Sequence, residues 1–312
     1  MAIAISLIQQ IAIMFIMVAF GFFAAKCKVI SVDGSRGLSV MALYVIIPCV
    51  LVNAFQVPFT QETFQGLMLA FAASLGINLF YIFVTKILNQ IYPMSVVERA
   101  SLIYPNAGNL IVPMVGAILG EDMILYCSAY MIVQNLFVWT HGKLLISGED
   151  KPTFKNVICN STVLSILLGI FLAVTKIQLP GLLESAVSSV GKALAPVCMF
   201  VTGVTVGSIP LKKALAQKRI YWICLLRLIV YPFLVILLIR FSNMHHYMDL
   251  APQILLIVFL AAAAPAASNI VQFAQYYRKD EYTAGLINVV STLLCIITMP
   301  ALLFIFQLLI PV

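Results

Sequence analysis

Residues 105–113 read PNAGNLIVP, in the middle of an apolar run from about 96 to 119. Proline removes a hydrogen-bond donor and clashes with the turn before it. Asparagine and glycine are poor helix formers. Lipid offers no water to satisfy a broken backbone, so such a break survives only when it is buried in protein or lines a polar cavity. Pro105 and Pro113 are therefore read as helix-break residues with a reason to exist.

The surrounding sequence sets the solvent. Of 312 residues, 63% are hydrophobic and 9% charged, against about 25% charged in soluble domains. Ten apolar runs near membrane-spanning length follow one another: about 5–25, 37–55, 65–87, 96–119, 122–146, 157–175, 184–207, 219–241, 251–276 and 282–309. The expected fold class is an all-α integral membrane protein of ten transmembrane helices. The first run lacks a basic leader and a small-residue cleavage site, so it is expected to remain as helix 1.

The net charge of +7 is distributed in a way that points to a bilayer partner and not to nucleic acid. The odd-numbered connections hold fourteen lysines and arginines, among them Lys26, Lys86, Arg99, Lys143, Lys213 and Arg278; the even-numbered ones hold Lys176 and Arg240. This is the positive-inside pattern. It puts the odd connections in the cytosol and both termini outside. The seven cysteines form no ligand spacing and read as small core residues, with no metal or cofactor implied.

The break has a twin. At an offset of 160, PNAGNLIVP lies over PAASNIVQF, residues 265–273: Pro105 over Pro265, Asn109 over Asn269, and further on Glu121 over Glu281. At an offset of 148, Pro48 lies over Pro196. Span 2 thus pairs with span 7 and span 4 with span 9. The chain divides into a first repeat, 1–146, a short cytosolic connection, 147–156, and a second repeat, 157–312. Five spans per repeat is odd, so the repeats are inverted. Interrupted helices at matching positions of inverted repeats mark a secondary transporter with a midplane site.

The chemistry of that site follows from its parts. The second half of each broken helix presents its N-terminus at depth, where free N–H groups and the dipole favour an anion. Asn106, Asn109, Ser268 and Asn269 add neutral donors. All eleven carboxylates lie in connections or at helix ends; the intramembrane acid of a cation or proton relay is missing. His245 and His246 read as solvated residues of an outer loop. Two cations fall inside spans, Lys192 and Arg227, each about eight residues or 12 Å in. Two readings stand for them: a snorkelling or structural contact, or attraction of an anion along its path. Gln134 and Asn135 on span 5 either face the break or join helices by a hydrogen bond.

At these residues the sequence resembles the auxin efflux carrier family, which includes bacterial permeases and plant auxin carriers. The likeness is carried by GFFAAKCKVISVDGSRGLSVMALYVIIPCVLVNAF (residues 21–55), YPNAGNLIVPMVGAILGED (104–122) and AAAAPAASNIVQFAQYY (261–277). The resemblance implies two inverted five-helix repeats, with interrupted helices 4 and 9 crossing at the substrate site. It implies a scaffold of helices 1, 2, 6 and 7 that also forms a homodimer contact. Helices 3–5 and 8–10 would then form a moving transport domain of elevator type. Asn109 and Asn269 are the first ligands it implies, with Gln134 matched less closely. The short 147–156 connection resembles bacterial members.

The expected function is therefore a non-enzymatic secondary carrier of a small organic carboxylate anion in the plasma membrane, the inner membrane of a bacterium. The alternatives are a sodium-coupled symporter of the bile-acid type, a transporter-like membrane sensor and a passive channel.

Overall fold

The computed structural model describes residues 2–57, 60–148, 161–208 and 217–310. Residues 149–156 of the expected connection, with Lys151 and Lys155, and also Cys159, Lys212 and Lys213, lie outside the described residues. All named elements are helical; the one pairing of extended backbone among the described residues is an isolated antiparallel bridge between Pro105 and Ala266.

Five helical stretches are long and apolar enough to cross a membrane: Gly34–Ala54, Gln61–Ile91, Glu121–Ser147, Gly181–Ser208 and Lys218–Ser242. A sixth counts if Glu281–Cys295 and Ile297–Leu309, bent by 56°, are one span; Pro300 follows that bend and clashes with the preceding turn. The remaining runs do not count as spans among the described residues. Ala12–Lys26, Ser161–Thr175 and Ala251–Ala263 are shorter apolar helices, and the run around PNAGNLIVP is divided into Val96–Ile103, a π-turn at Ala107–Ile111, and Val112–Leu119.

Prolines set much of this irregularity. Three π-turns end two residues before a proline: Ala42–Ile46 before Pro48, Ala107–Ile111 before Pro113 and Leu226–Val230 before Pro232. The missing N–H and the ring's clash with the carbonyl four residues back are both relieved by one wider turn.

The chain folds as two compact units. The first comprises Met1–Leu67, Gly108–Ser128 and Ile158–Pro210. Within it, Ala2–Lys26 lies along Leu194–Ser208, and glycines let the backbones touch. A Cβ on Gly203 would stand 2.0 Å from the Val18 carbonyl oxygen, and one on Gly21 2.0 Å from that of Phe200. This is the small-residue packing of membrane helices. Ser161–Thr175 packs on Ile47–Ala54 and its C-terminal residue Phe55, whose ring occupies the place a Cβ on Gly169 would need.

The second unit comprises Met68–Ala107, Ala129–Val157 and Leu211–Val312. Its core is Ala251–Ala263, where every residue from Ile254 to Ala263 is buried. Glu281–Leu309 contacts Val96–Ile103, Lys218–Leu225, Ala251–Ala263 and Ser268–Tyr276. A helix buried on all sides needs no polar face, which is why this stretch reads as an unbroken apolar run.

Candidate functional site

In the second unit, two interrupted helices meet. Val96–Ile103 starts on a capping box, the Ser95 hydroxyl and the Glu98 carboxylate each accepting from the other's backbone. Buried Glu98 also pairs with Arg219. The helix stops at Tyr104, held extended by the proline that follows. Ala251–Ala263 stops at Ala264 before Pro265 for the same reason. The freed strands pair: the Asn106 amide donates to the Pro265 carbonyl at 2.8 Å, and the Ala267 amide to the Tyr104 carbonyl at 3.0 Å.

Several other freed backbone groups are answered by side chains, as burial demands. Gln134 donates its amide to the Pro105 carbonyl. The Ala266 amide donates to the Ser291 hydroxyl at 3.1 Å, and Asn288 donates to the Ala266 carbonyl at 2.6 Å. Arg227, wholly buried, donates to three carbonyls: Leu102 at 3.0 Å, Ala262 at 2.7 Å and Ala264 at 2.7 and 3.1 Å. The Tyr104 hydroxyl donates to the Phe137 carbonyl at 3.1 Å, beside the π-turn Val138–Gly142, and lies 2.7 Å from His141 Nδ1.

Of the residues singled out in the sequence, the bridge brings Pro105, Asn106, Pro265, Ser268 and Asn269 together. Asn106 donates its side-chain amide to the Ser268 hydroxyl at 3.4 Å. Ser268 and Asn269 begin the helix Ser268–Tyr276, so their N–H groups have no acceptor within it. Asn269 is half-buried and makes no side-chain hydrogen bond among the described residues. Gln134 reaches the break and spends its donor on it. Asn109 lies on the π-turn Ala107–Ile111; its side chain is outside the described residues. Tyr104 belongs to the break as well, and so do Asn288 and Ser291, outside the motifs of the sequence. The polar pair three residues apart in the apolar final span is the signal that marks Asn288 and Ser291.

Arg227 does not snorkel. Its guanidinium lies at the carbonyl ends of both first half-helices, over the Tyr81 ring at 5.3 Å. His245 is likewise not solvated: it is buried, and its ring lies tilted against that of His246 with centroids 4.0 Å apart. Of the cysteines, Cys127, Cys198, Cys224 and Cys295 are buried, whereas Cys27 is exposed.

The first unit holds a cavity of about 220 Å³. Pro113 and Gly116 of Val112–Leu119 form part of its wall, and Asn53, Ser188, Glu121 and Lys192 supply its polar groups. Lys192 stands at the break between Gly181–Gly191 and Leu194–Ser208, exposed at this cavity. Most of the lining is apolar, so the ammonium and carboxylate are its two fixed charges.

Among the described residues, no three His, Cys, Asp or Glu side chains stand together as metal ligands. What the break offers is N–H groups and neutral amides, a donor set for an oxyanion. No curated protein matches the chain. A family model described as a membrane transport protein matches residues 6–303, and the chain belongs to that family, the one that includes the auxin efflux carriers.

Proposed function

We propose that this membrane transporter is a secondary carrier of a small organic carboxylate anion. The observation that carries the reading is the pairing of Pro105 with Ala266. It places the N-terminus of Ser268–Tyr276 beside the Asn106 amide, with Asn269 on its first turn. A carboxylate fits donors of that kind, and neutral donors release it more readily than a buried lysine would. In this reading Asn106, Ser268 and Asn269 bind the anion. Asn109, which the family resemblance puts first with Asn269, is tested separately.

The finer architecture belongs to the same proposal. Ten spans form two inverted repeats with both termini outside, in the inner membrane of a bacterium, and the protein works by an elevator motion as a homodimer. The match of Pro105 with Pro265 and the charge asymmetry of the connections support it. So does the composition of the units: the first gathers spans 1, 2, 6 and 7 with Gly108–Ser128, and the second gathers most of spans 3, 5, 8, 9 and 10 with the first half of span 4.

Moving one charge through about 100 mV is worth about 2.3 kcal/mol, so export of a monoanion from a negative interior needs no coupling ion. The test is uptake of labelled malate, malonate and indole-acetate by the reconstituted protein, with and without an imposed potential. Saturable uptake that follows the potential is expected. Binding of a probe with no flux would replace the carrier by a sensor, and flux without saturation would replace it by a channel.

A further inference from the structure

Arg227 is a full positive charge in a wholly buried position, and no carboxylate among the described residues pairs with it. A buried cation is retained only if something compensates it. Here the compensation is main-chain oxygen. Its Nη1 donates to Leu102, near the end of Val96–Ile103; its Nη2 and Nε donate to Ala262 and Ala264, at the end of Ala251–Ala263. The C-terminal end of a helix carries partial negative charge, and two such ends converge on one guanidinium. The Tyr81 ring closes a further side at 5.3 Å, and the Tyr81 hydroxyl donates to the Ala262 carbonyl at 3.2 Å.

In carriers with interrupted helices, the carbonyl ends of half-helices are the ligands that coordinate a coupling sodium ion, while half-helix N-termini face the anion. Both features occur in this unit. The first two amides of Ser268–Tyr276 have no acceptor within that helix, and Ala264, which accepts from Arg227, is four residues before it. The oxygens that would bind sodium already hold a guanidinium.

We infer that Arg227 is a resident cation occupying the place of a coupling sodium ion, so that the anion is bound and carried without one. The inference rests on the carrier reading above for its transport consequence, but the occupation of the carbonyls is a separate property of the fold. Arg227 is a positioning residue: it holds two helix ends together and supplies the local charge, and it does not touch the anion. Arginine suits this task because it stays charged and its planar fork reaches several acceptors at once.

The experiment measures two things on purified protein: uptake of malate, malonate and indole-acetate in liposomes, and thermal unfolding in detergent, each in sodium and in choline. Wild-type uptake and the wild-type unfolding midpoint are expected to be equal in the two media. Arg227→Ala uncovers three carbonyls; its uptake is expected to be lost in choline and partly restored in sodium, and its midpoint to rise by several degrees with sodium. Wild-type uptake that requires sodium, or an alanine variant whose midpoint ignores sodium, overturns the inference. Should Arg227→Ala fail to fold, Arg227→Gln and Arg227→Lys decide: the glutamine variant is expected to gain a sodium-dependent midpoint and the charged lysine variant not to, and equal responses overturn the inference. If no probe is taken up in any medium, the carrier reading fails, and the unfolding comparison still decides the role of Arg227.

Discussion

The amide of Asn106 donates a 2.8 Å hydrogen bond to the carbonyl of Pro265, across more than half the chain length. Two segments that each fail as helix succeed as partners. The strand that replaces each lost helical turn is paired, and side chains from Gln134, Asn288 and Ser291 take up further freed backbone groups.

Gln134→Leu should show how much one of those side chains contributes. It keeps the volume roughly but leaves the buried Pro105 carbonyl without its donor. An unsatisfied buried acceptor costs about 1–3 kcal/mol, so the unfolding midpoint in detergent should fall. An unchanged midpoint would mean that the carbonyl finds another donor.

Asn269→Asp should separate stability from transport by sign. The residue is in the first turn of Ser268–Tyr276, where a negative charge gains about 0.3–1 kcal/mol from the helix dipole. The same charge repels an incoming carboxylate. The variant should be at least as heat-stable as the wild type and should lose uptake. Asn106→Ala and Asn109→Ala should weaken uptake with little change in stability, by about tenfold or more for each hydrogen bond lost to a charged ligand. Wild-type uptake in the Asn269→Asp protein would remove the break from the binding site.

Gly203→Leu tests the first unit alone. A Cβ there meets the Val18 carbonyl oxygen at 2.0 Å, the Phe22 amide nitrogen at 2.7 Å and the Gly21 Cα at 2.9 Å, so the helices Ala2–Lys26 and Leu194–Ser208 must separate. Overpacking of this kind costs about 1–3 kcal/mol, and against backbone it should reach the upper end. Gly37→Ala, where nothing lies within 4 Å, is the control and should leave the midpoint near the wild-type value.

The breaks were legible because proline and asparagine act through local backbone chemistry, which one sequence carries. Pro105 and Pro265 each follow the residue at which a helix stops, Tyr104 and Ala264. The partners of Arg227 were not legible: Leu102, Ala262 and Ala264 take part through carbonyl oxygens, and every residue has one. A lone arginine in an apolar run therefore reads either as a snorkelling or structural contact or as attraction of an anion until the chain is folded. Five stretches pass as spans by length and composition among the described residues, against ten apolar runs, for a related reason. Hydropathy registers apolar runs, but a run such as 96–119 can be two short helices and a wide turn.

Lys192 and Glu121 line one cavity in the first unit, together with Asn53 and Ser188. A cavity of low-dielectric walls with one ammonium attracts anions over a distance set by screening, about 8 Å at physiological salt. If the anion enters by this cavity, the two charges act oppositely on the approach and not on the turnover. Lys192→Gln should raise KM and leave kcat near the wild-type value, and Glu121→Gln should lower KM. Both shifts should shrink as ionic strength rises. Lys192→Gln that lowers kcat at unchanged KM would place the lysine in the turnover step, and two variants with wild-type KM at low salt would take the cavity off the anion's route.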